Sequence, residues 1–297
     1  MPAPALPRVG YLGPQGTFSE QALLDSAAPD AVEPVPLETI YEAVMALRRG
    51  ELRWAIVPIE NSLEGSISVT LDLLAAETSD VEIAAEALLR VTHCLIAGEA
   101  TELAAIDTVL SHPQVLGQCA LLLRGELAHA RTLAARSSAD AVRTVTSEAR
   151  AGRAAIGTSL AAQIYGGTIL RAGVEDRDDN QTRFAWVARA GERGEPPLRH
   201  TAPGAFKTSL VFWGAGADRP GWLVRCLDEF ASRDINLTRI ESRPRREGLG
   251  SYMFFVDLSG HVDDAAVADA IAGASTLCEQ MRVLGCYRVA PAPDGAR

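Results

Sequence analysis

The sequence predicts an α/β protein in two parts: a large N-terminal region with one or two mainly parallel sheets, and a small ferredoxin-like domain after it. Three observations lead there. A short apolar run, a Gly/Ser/Pro/Asn loop and a helical pattern recur in that order four times: VGYLGPQGTFSEQALLD, WAIVPIENSLEGSISVTLDLLA, TVLSHPQVLGQCALLLRG and AAIGTSLAAQIYG. Continuous apolar runs such as Ala55 to Val57 suit strands covered on both faces. The stretch RAGERGEPPLRHTAPGA mixes glycine, paired proline and charge without periodicity, so 191–205 reads as a linker. Beyond it the pattern is strand (208–213), helix (220–232), strand (236–242), strand (251–258), helix (263–277), strand (281–289), the βαββαβ order of a ferredoxin-like fold.

Composition narrows the function classes. A chain of 297 residues, 47% hydrophobic and 22% charged, can build a soluble two-domain protein. The net charge of -10 argues against a nucleic-acid partner, which calls for a basic face. Lys207 is the only lysine, a trait of base composition and not of arginine chemistry. Five scattered cysteines without a Cys-x-x-Cys spacing read as reduced small hydrophobes. The histidines are far apart and form no His-Glu-x-x-His, so no metal is expected. The N-terminus has no signal-peptide pattern, and no apolar run approaches the roughly 18 residues that cross a bilayer. A soluble cytoplasmic protein without a membrane partner is expected.

In open α/β sheets, ligands lie beyond the carboxyl ends of the strands, where loops lead into helices. In the first loop, Thr17 and Glu20 fit a capping box; the free amides of that turn favour an anion, or the box merely starts a helix. In the second, Glu60, Asn61 and Ser62 either orient a substrate or satisfy a turn. In the third, Ser111 caps a helix that Pro113 opens, and Gln118 lies about one turn beyond Gln114. His112 stands at that helix start, where a structural role is the commoner one. The run DDNQTRFAWVA sets Thr182 and Arg183 at the entrance of a strand over 184–187. There the arginine can grip a carboxylate and the threonine can donate one hydrogen bond, or both can sit in an exposed turn.

GPQGTFSE, PIENSLEGSI, SHPQVLGQC and NQTRF stand in the order found in prephenate dehydratases. The tail INLTRIESRP followed by SYMFFVDLSGH resembles their ACT regulatory domain. The likeness runs from about Val9 to Arg288. It implies a catalytic part over 1–190 with two lobes resembling periplasmic-binding-protein halves, roughly 8–85 plus 170–190 and 90–168, and an ACT domain over 206–290. It also implies a reaction without a cofactor, in which prephenate loses carbon dioxide and its ring hydroxyl to give phenylpyruvate. Two rivals stay open: arogenate dehydratase, and a non-catalytic two-lobed amino-acid or anion sensor.

By the same resemblance the Thr-Arg-Phe motif is catalytic, as Thr182, Arg183 and Phe184. Thr182 assists hydroxide departure, while Arg183 meets a substrate carboxylate or a neighbouring acid such as Glu60. Thr17, Glu60, Asn61, Ser62, Ser111 and Gln118 bind and orient the substrate. Phenylalanine is the implied effector, held by Gly221, Trp222, Leu223, Val224, Asn236, Glu241, Ser242, Arg243 and Pro244 at the interface of a homo-oligomer, dimer or tetramer. Family members usually read Gly-Ala-Leu where this chain has Gly221-Trp222-Leu223. The indole is expected to fill the effector pocket, to turn outward, or to cover the helix's apolar face. Because the linker carries no periodic apolar residues, residues 1–189 are expected to fold and work without the rest.

Overall fold

The structure, a computed structural model, describes residues 5–148, 150–192, 194–199, 204–214 and 219–292. The first part of the chain forms β1 (Arg8–Leu12), α1 (Phe18–Ser26), β2 (Glu33–Leu37), α2 (Ile40–Arg48), β3 (Trp54–Asn61), β4 (Gly65–Ser66), α3 (Ser68–Asp72) and β5 (Val81–Arg90). Helices begin where a side chain can take up a free amide: Thr17 and Thr39 accept from the backbone N–H three residues on. After a crossing come β6 (Cys94–Ala97), β7 (Thr108–Ser111), α4 (Pro113–Gln118), α5 (Ala120–Arg124), β8 (Arg131–Ala134), α6 (Ser138–Glu148), β9 (Arg153–Gly157), α7 (Ser159–Tyr165) and β10 (Thr168–Ala172). A second crossing then returns the chain as β11 (Gln181–Arg189).

Two sheets of the same pattern result. The first runs β2-β1-β3-β11-β5, with β4 on the edge of β3, and the second runs β8-β7-β9-β6-β10. In each, three parallel strands are followed by one antiparallel strand and an outer strand paired antiparallel to it. The antiparallel strand is the last element of the first lobe and the opening strand of the second, so the chain crosses twice. The crossings are bonded to each other: Val91 N–H donates to Asn180 O (2.8 Å) and Val174 N–H to His93 O (3.1 Å). The expected return at residue 170 comes later, because β10 completes the antiparallel edge of the second sheet and the first lobe regains the chain only at Gln181.

The C-terminal part forms β12 (Phe206–Trp213), α8 (Trp222–Ala231), β13 (Leu237–Pro244), β14 (Tyr252–Ser259), α9 (Ala265–Ser275) and β15 (Gln280–Arg288), the expected βαββαβ order with strands arranged β13-β14-β12-β15. Both helices cover one face of this sheet around Phe212, Trp222, Phe230 and Val256. The opposite face packs on the first lobe: Val211, Met253, Phe255, Leu284 and Tyr287 share one buried cluster with Val57, Leu74, Ile83 and Val187. At Gly285 the approach is so close that an added Cβ would lie 2.2 Å from Ile83 O. Part of the expected linker is packed as well. Leu198 bridges to Ala27 and joins the cluster beneath α1, while residues 200–203 lie outside the described residues.

Inside the domain boundary lies a buried ion cluster centred on Arg183. Its Nε donates to Glu86 Oε2 (2.8 Å), Nη1 to Asp257 Oδ2 (2.5 Å) and Nη2 to Tyr287 Oη (2.7 Å). Lys207 Nζ adds a second contact to Glu86 (2.8 Å), and Ser209 Oγ donates to Asp257 Oδ1 (2.5 Å). Two cations thus meet two carboxylates with their polar atoms engaged, the condition under which buried charge is tolerable. Burial alone would raise the pKa of Asp257, but Arg183, Ser209 and Arg239 outweigh it and hold the carboxyl below its usual range. Further out, Arg243 grips Asp72 through Nε (2.8 Å) and Nη2 (3.0 Å).

The shared cluster supports the opposite of the expectation drawn from the linker, since residues 1–189 alone would leave that apolar sheet face uncovered. That inference overlooked the sheet face, whose apolar residues make the contact. Expressed alone, residues 1–192 are expected to aggregate in size-exclusion chromatography; a monodisperse fragment with the Tm of the whole chain would contradict the shared core. Arg183→Ala removes the ion-pair partner of buried Asp257 and one of the two cations on Glu86, and is expected to cost about 3–5 kcal/mol in urea unfolding. Since the folded pKa of Asp257 is depressed, its contribution to stability is present above the unfolded value near pH 4 and fades as pH falls through the folded value. Acid titration of Tm should show that loss, and an Asp257→Asn variant should lack it.

Candidate active site

The loop from β1 to α1 and the end of β2 face the starts of α4 and α6 across a cleft of about 800 Å³. Gly16 (φ +84°) joins the lobes at its rim. Thr158 Oγ1 donates to Gly16 O (2.6 Å), and Tyr165 Oη donates to Gln15 O (2.9 Å). A Cβ on Gly16 would come within 2.9 Å of Ala161, so only glycine permits this contact. Behind the loop the Glu20 carboxylate accepts from Tyr11 Oη (3.0 Å) and Gly16 N–H (2.5 Å). Burial, then the charge of Glu20, pushes the Tyr11 phenol far above its usual range, so it serves as a fixed donor.

The charges lining this cleft suit an anion. α1 begins at Thr17, and α6 begins after Ser137, whose Oγ accepts from Asp140 N–H (3.0 Å). Both present the positive end of their dipoles toward the cleft lining. Arg143 also lines it, in an ion pair with Asp140 at 2.7 Å, and Arg136 lines it with no ion pair among the described residues. Glu38 and Asp140 are the acids on its wall.

Behind Phe18 of the cleft lining, whose ring meets His93 edge-on (centroids 5.3 Å apart), runs a chain of side chains that ends at Thr182, which is not itself among the lining residues. Asn61 accepts from the N–H groups of Leu63 (3.0 Å) and Glu64 (3.1 Å) through Oδ1, which fixes its amide. Its Nδ2 donates to Thr182 Oγ1 (2.9 Å) and Asn180 Oδ1 (2.8 Å). The Thr182 hydroxyl therefore accepts, and its own proton has no acceptor among the described residues. Gln118 joins the lobes here: Nε2 donates to Glu64 Oε1 (3.0 Å), and Oε1 lies 3.0 Å from His93 Nε2 and 3.5 Å from Asn180 Nδ2.

The remaining expected residues are placed as follows. Arg183 and Glu60 turn away from the cleft, since neighbours on β11 point to opposite faces and Arg183 pairs with Glu60 across the ladder. Their charged groups lie 3.6 Å apart on the side of the C-terminal domain, and the guanidinium is filled by Glu86, Asp257 and Tyr287. Of the two partners expected for Arg183, the neighbouring acid Glu60 is met, whereas the substrate carboxylate gives way to the interdomain partners Glu86, Asp257 and Tyr287. Phe184 is buried with Tyr11, Leu23 and Trp186, a packing residue behind Thr182. Thr17 donates to Leu12 O (2.9 Å) while capping α1. Ser62 Oγ accepts from Gln181 N–H (2.9 Å), and Ser111 is fully buried, donating to Ile156 O (2.6 Å). Both serines hold backbone, Ser62 at the exposed surface and Ser111 in the core. Arg136, Asn180, Glu64 and His93 were not singled out in the sequence. Asn180 lies inside the NQTRF motif and was within reach, whereas nothing periodic marks the others.

In the C-terminal domain Gly221 (φ +78°) opens α8, and Trp222, Leu223 and Val224 line a depression of about 190 Å³ with Tyr252 and Phe254. Trp222 takes the covering position among those expected, yet it also forms a wall. Its indole is buried against Phe212 and Phe254 and donates to Leu277 O (2.6 Å). Glu241, Ser242, Arg243 and Pro244 lie on β13, with β14 between them and the core of the sheet, and do not line this depression. Asn236 precedes that strand, its carbonyl accepting from Ser259 N–H (2.9 Å). Within one chain the two expected halves of an effector site are not brought together. Among the described residues no group of three or more His, Cys, Asp or Glu is arranged to hold a metal, and no helix is long and apolar enough to cross a membrane.

Comparison with known proteins agrees with this architecture over its length. The family model described as Prephenate dehydratase matches residues 9–192, and that of the ACT domain matches residues 212–274. A prephenate dehydratase of Mycobacteroides abscessus is 42% identical, the match covering 97% of this chain and 92% of the relative. The crystal structure of an Arthrobacter aurescens prephenate dehydratase in complex with L-Phe superposes with a TM-score of 0.83 at 37% identity, covering 95% of this chain and 90% of that one. GqqA, described as a novel type of quorum quenching acylase, superposes with a TM-score of 0.82 at 27% identity, covering 96% and 98%. With a two-lobed cleft, a Thr-Arg-Phe strand beside it and a C-terminal ACT domain in the same chain, this protein belongs to the prephenate dehydratase family.

Proposed function

We propose that the chain is a prephenate dehydratase of phenylalanine biosynthesis, acting in the cytoplasm. Two observations support the reading: a cleft bearing cations and helix N-termini, and a threonine hydroxyl that is linked to the Phe18 wall of that cleft through His93, Gln118, Asn180 and Asn61 and whose proton has no acceptor among the described residues. Prephenate is a dianion. Its reaction breaks the bond from the ring to one carboxylate, leaves that pair of electrons in the ring, and expels the ring hydroxyl. One proton is taken up, and phenylpyruvate, carbon dioxide and water are released. The cleft supplies fixed donors for the carboxylates, with Arg136 and the α6 terminus as the open ones, and aromatisation supplies the driving force.

Thr182 is far too weak an acid to give up its proton outright. Because Asn61 occupies its acceptor side, the hydroxyl is oriented to donate to the departing oxygen, a hydrogen bond that strengthens as charge develops there. Fold alone does not separate this reading from the acylase activity described for GqqA. Turnover of prephenate, of arogenate and of an acylated amide, measured side by side, makes that separation; hydrolysis of the amide with no phenylpyruvate formed would overturn the assignment.

Phenylalanine is the proposed effector. The wall of Leu223, Val224, Tyr252 and Phe254 suits an aromatic side chain, and the A. aurescens relative was solved with L-Phe. The β13 residues Glu241 to Pro244 would then come from a second chain paired along this edge strand, where Ile240 is half exposed. A homodimer or tetramer follows.

Two outcomes are expected. Thr182→Ala should keep the fold yet lose about 10² or more in kcat, and Thr182→Ser should retain most of it; full activity in the alanine variant would remove the hydroxyl from the mechanism. Trp222→Ala removes a core indole and should cost the C-terminal domain about 3–5 kcal/mol. It should weaken phenylalanine inhibition, not restore it, as read by activity titration and sedimentation. Tighter inhibition in Trp222→Ala would show that the indole obstructs the site.

A further inference from the structure

His93 sits on the first crossing between the lobes and is almost entirely buried. Its backbone is clasped to the second crossing, with its N–H donating to Glu175 Oε2 (2.7 Å) and its carbonyl accepting from Val174 N–H (3.1 Å). The ring is therefore held in place at the junction. Its ring Nε2 lies 3.0 Å from Gln118 Oε1, while Nδ1 is buried without a hydrogen-bond partner among the described residues.

The direction of every bond in this network can be worked out from its two ends. Glu64 as a carboxylate only accepts, so Gln118 must turn its Nε2 toward it and its Oε1 toward His93. Hence His93 donates from Nε2, the neutral tautomer with a bare Nδ1. Burial lowers its pKa, against smaller raising contributions from Gln118 and Glu175, in keeping with a ring that stays neutral. At the other end two backbone N–H groups fix Asn61 Oδ1, so its Nδ2 must donate to Asn180 and Thr182. Asn180 lies between, accepting from Asn61 and turning its own Nδ2 toward Gln118 Oε1 (3.5 Å). One consistent arrangement accounts for the direction of each of these hydrogen bonds, and in it the Thr182 proton has no acceptor among the described residues.

We propose that His93 is a positioning residue of the reaction, whose Nε2–H locks Gln118 across the lobes and so, through Asn180 and Asn61, holds the Thr182 hydroxyl with its proton directed at the substrate. This rests on the dehydratase reading. Without the Nε2 donor, Gln118 Oε1 keeps only the longer contact from Asn180 Nδ2 (3.5 Å), and the relay loses its short anchor at the crossing between the lobes. His93 touches neither substrate nor reacting atoms, so its removal acts on kcat through Thr182.

The test uses the full chain and prephenate. Wild-type turnover comes first, because its absence would sink the dehydratase reading and not this one. His93→Leu, which fills much of the space without a donor, is expected to lower kcat by about 30-fold or more, with KM changed less than about threefold. His93→Gln, whose amide nitrogen reaches the Nε2 position, should recover to within about fivefold of wild type. In a Thr182→Ala background His93→Leu should cost almost nothing further, since the two act through one hydroxyl. A kcat within threefold of wild type in His93→Leu, an equal loss in folded His93→Leu and His93→Gln, or full additivity with Thr182→Ala would each overturn the proposal. Should His93→Leu fail to fold, Asn180→Ser cuts the same relay at its next link; an unchanged kcat there overturns it, and a kcat loss at constant KM upholds it.

Discussion

Arg183 binds Glu86, Asp257 and Tyr287 at once, in a space closed to water by the first lobe on one side and the C-terminal sheet on the other. A guanidinium there would be untenable without all three partners, two of which come from the other domain. The docking of the domains and the burial of this arginine therefore require each other. The shared apolar cluster supplies attraction without direction, and the ion cluster supplies register: its fixed donor geometry tolerates one placement of β12, β14 and β15 over β5 and β11.

Strand alternation makes this arrangement consequential for chemistry. Thr182 and Arg183 are adjacent, so one faces the cleft side and the other the C-terminal domain. A displacement of the C-terminal sheet must drag Arg183 or break its bonds, and Thr182 is one peptide unit away. An effector bound to that domain shifts the enzyme only by its differential affinity for two states. A two-sided strand is a short physical route by which such a difference can reach the reacting hydroxyl. Gln118 and His93 act at right angles to it, fixing one lobe against the other at the same threonine.

Several readings made from residues alone hold in the structure, and the failures share a cause. The four strand-loop-helix segments form where expected, each from an apolar run and a helical period; three helices start on a side-chain cap, Thr17, Thr158 and, in place of the expected Ser111, His112, whereas the second starts after Ile67 without one. β2 was passed over, since EPVPL reads as a breaker; its prolines are tolerated on a sheet edge, where one side of the strand needs no ladder. The return to the first lobe was placed too early because TILRA at 168–172 gives no hint of which sheet it will join. For Arg183 the residue was singled out and its direction was not, since facing is set by which side of β11 meets the second domain.

What the sequence by itself determined is local: most of the elements, the order of the two domains, and polar loops at strand ends that include Thr182, Asn61 and Gln118, whose place in a site was implied by the family resemblance. These follow from propensity, periodicity and turn chemistry, which act over a few residues. Tertiary structure alone decided that Ser62 and Ser111 are committed to backbone, that Trp222 belongs to a core, that the linker does not separate the domains, and that His93, Asn180 and Arg136 join the site. Each of those outcomes depends on partners tens to hundreds of positions away. A hydrogen bond or an ion pair is specified by where two groups meet in space, and neither partner carries a mark of that meeting in its own stretch of sequence.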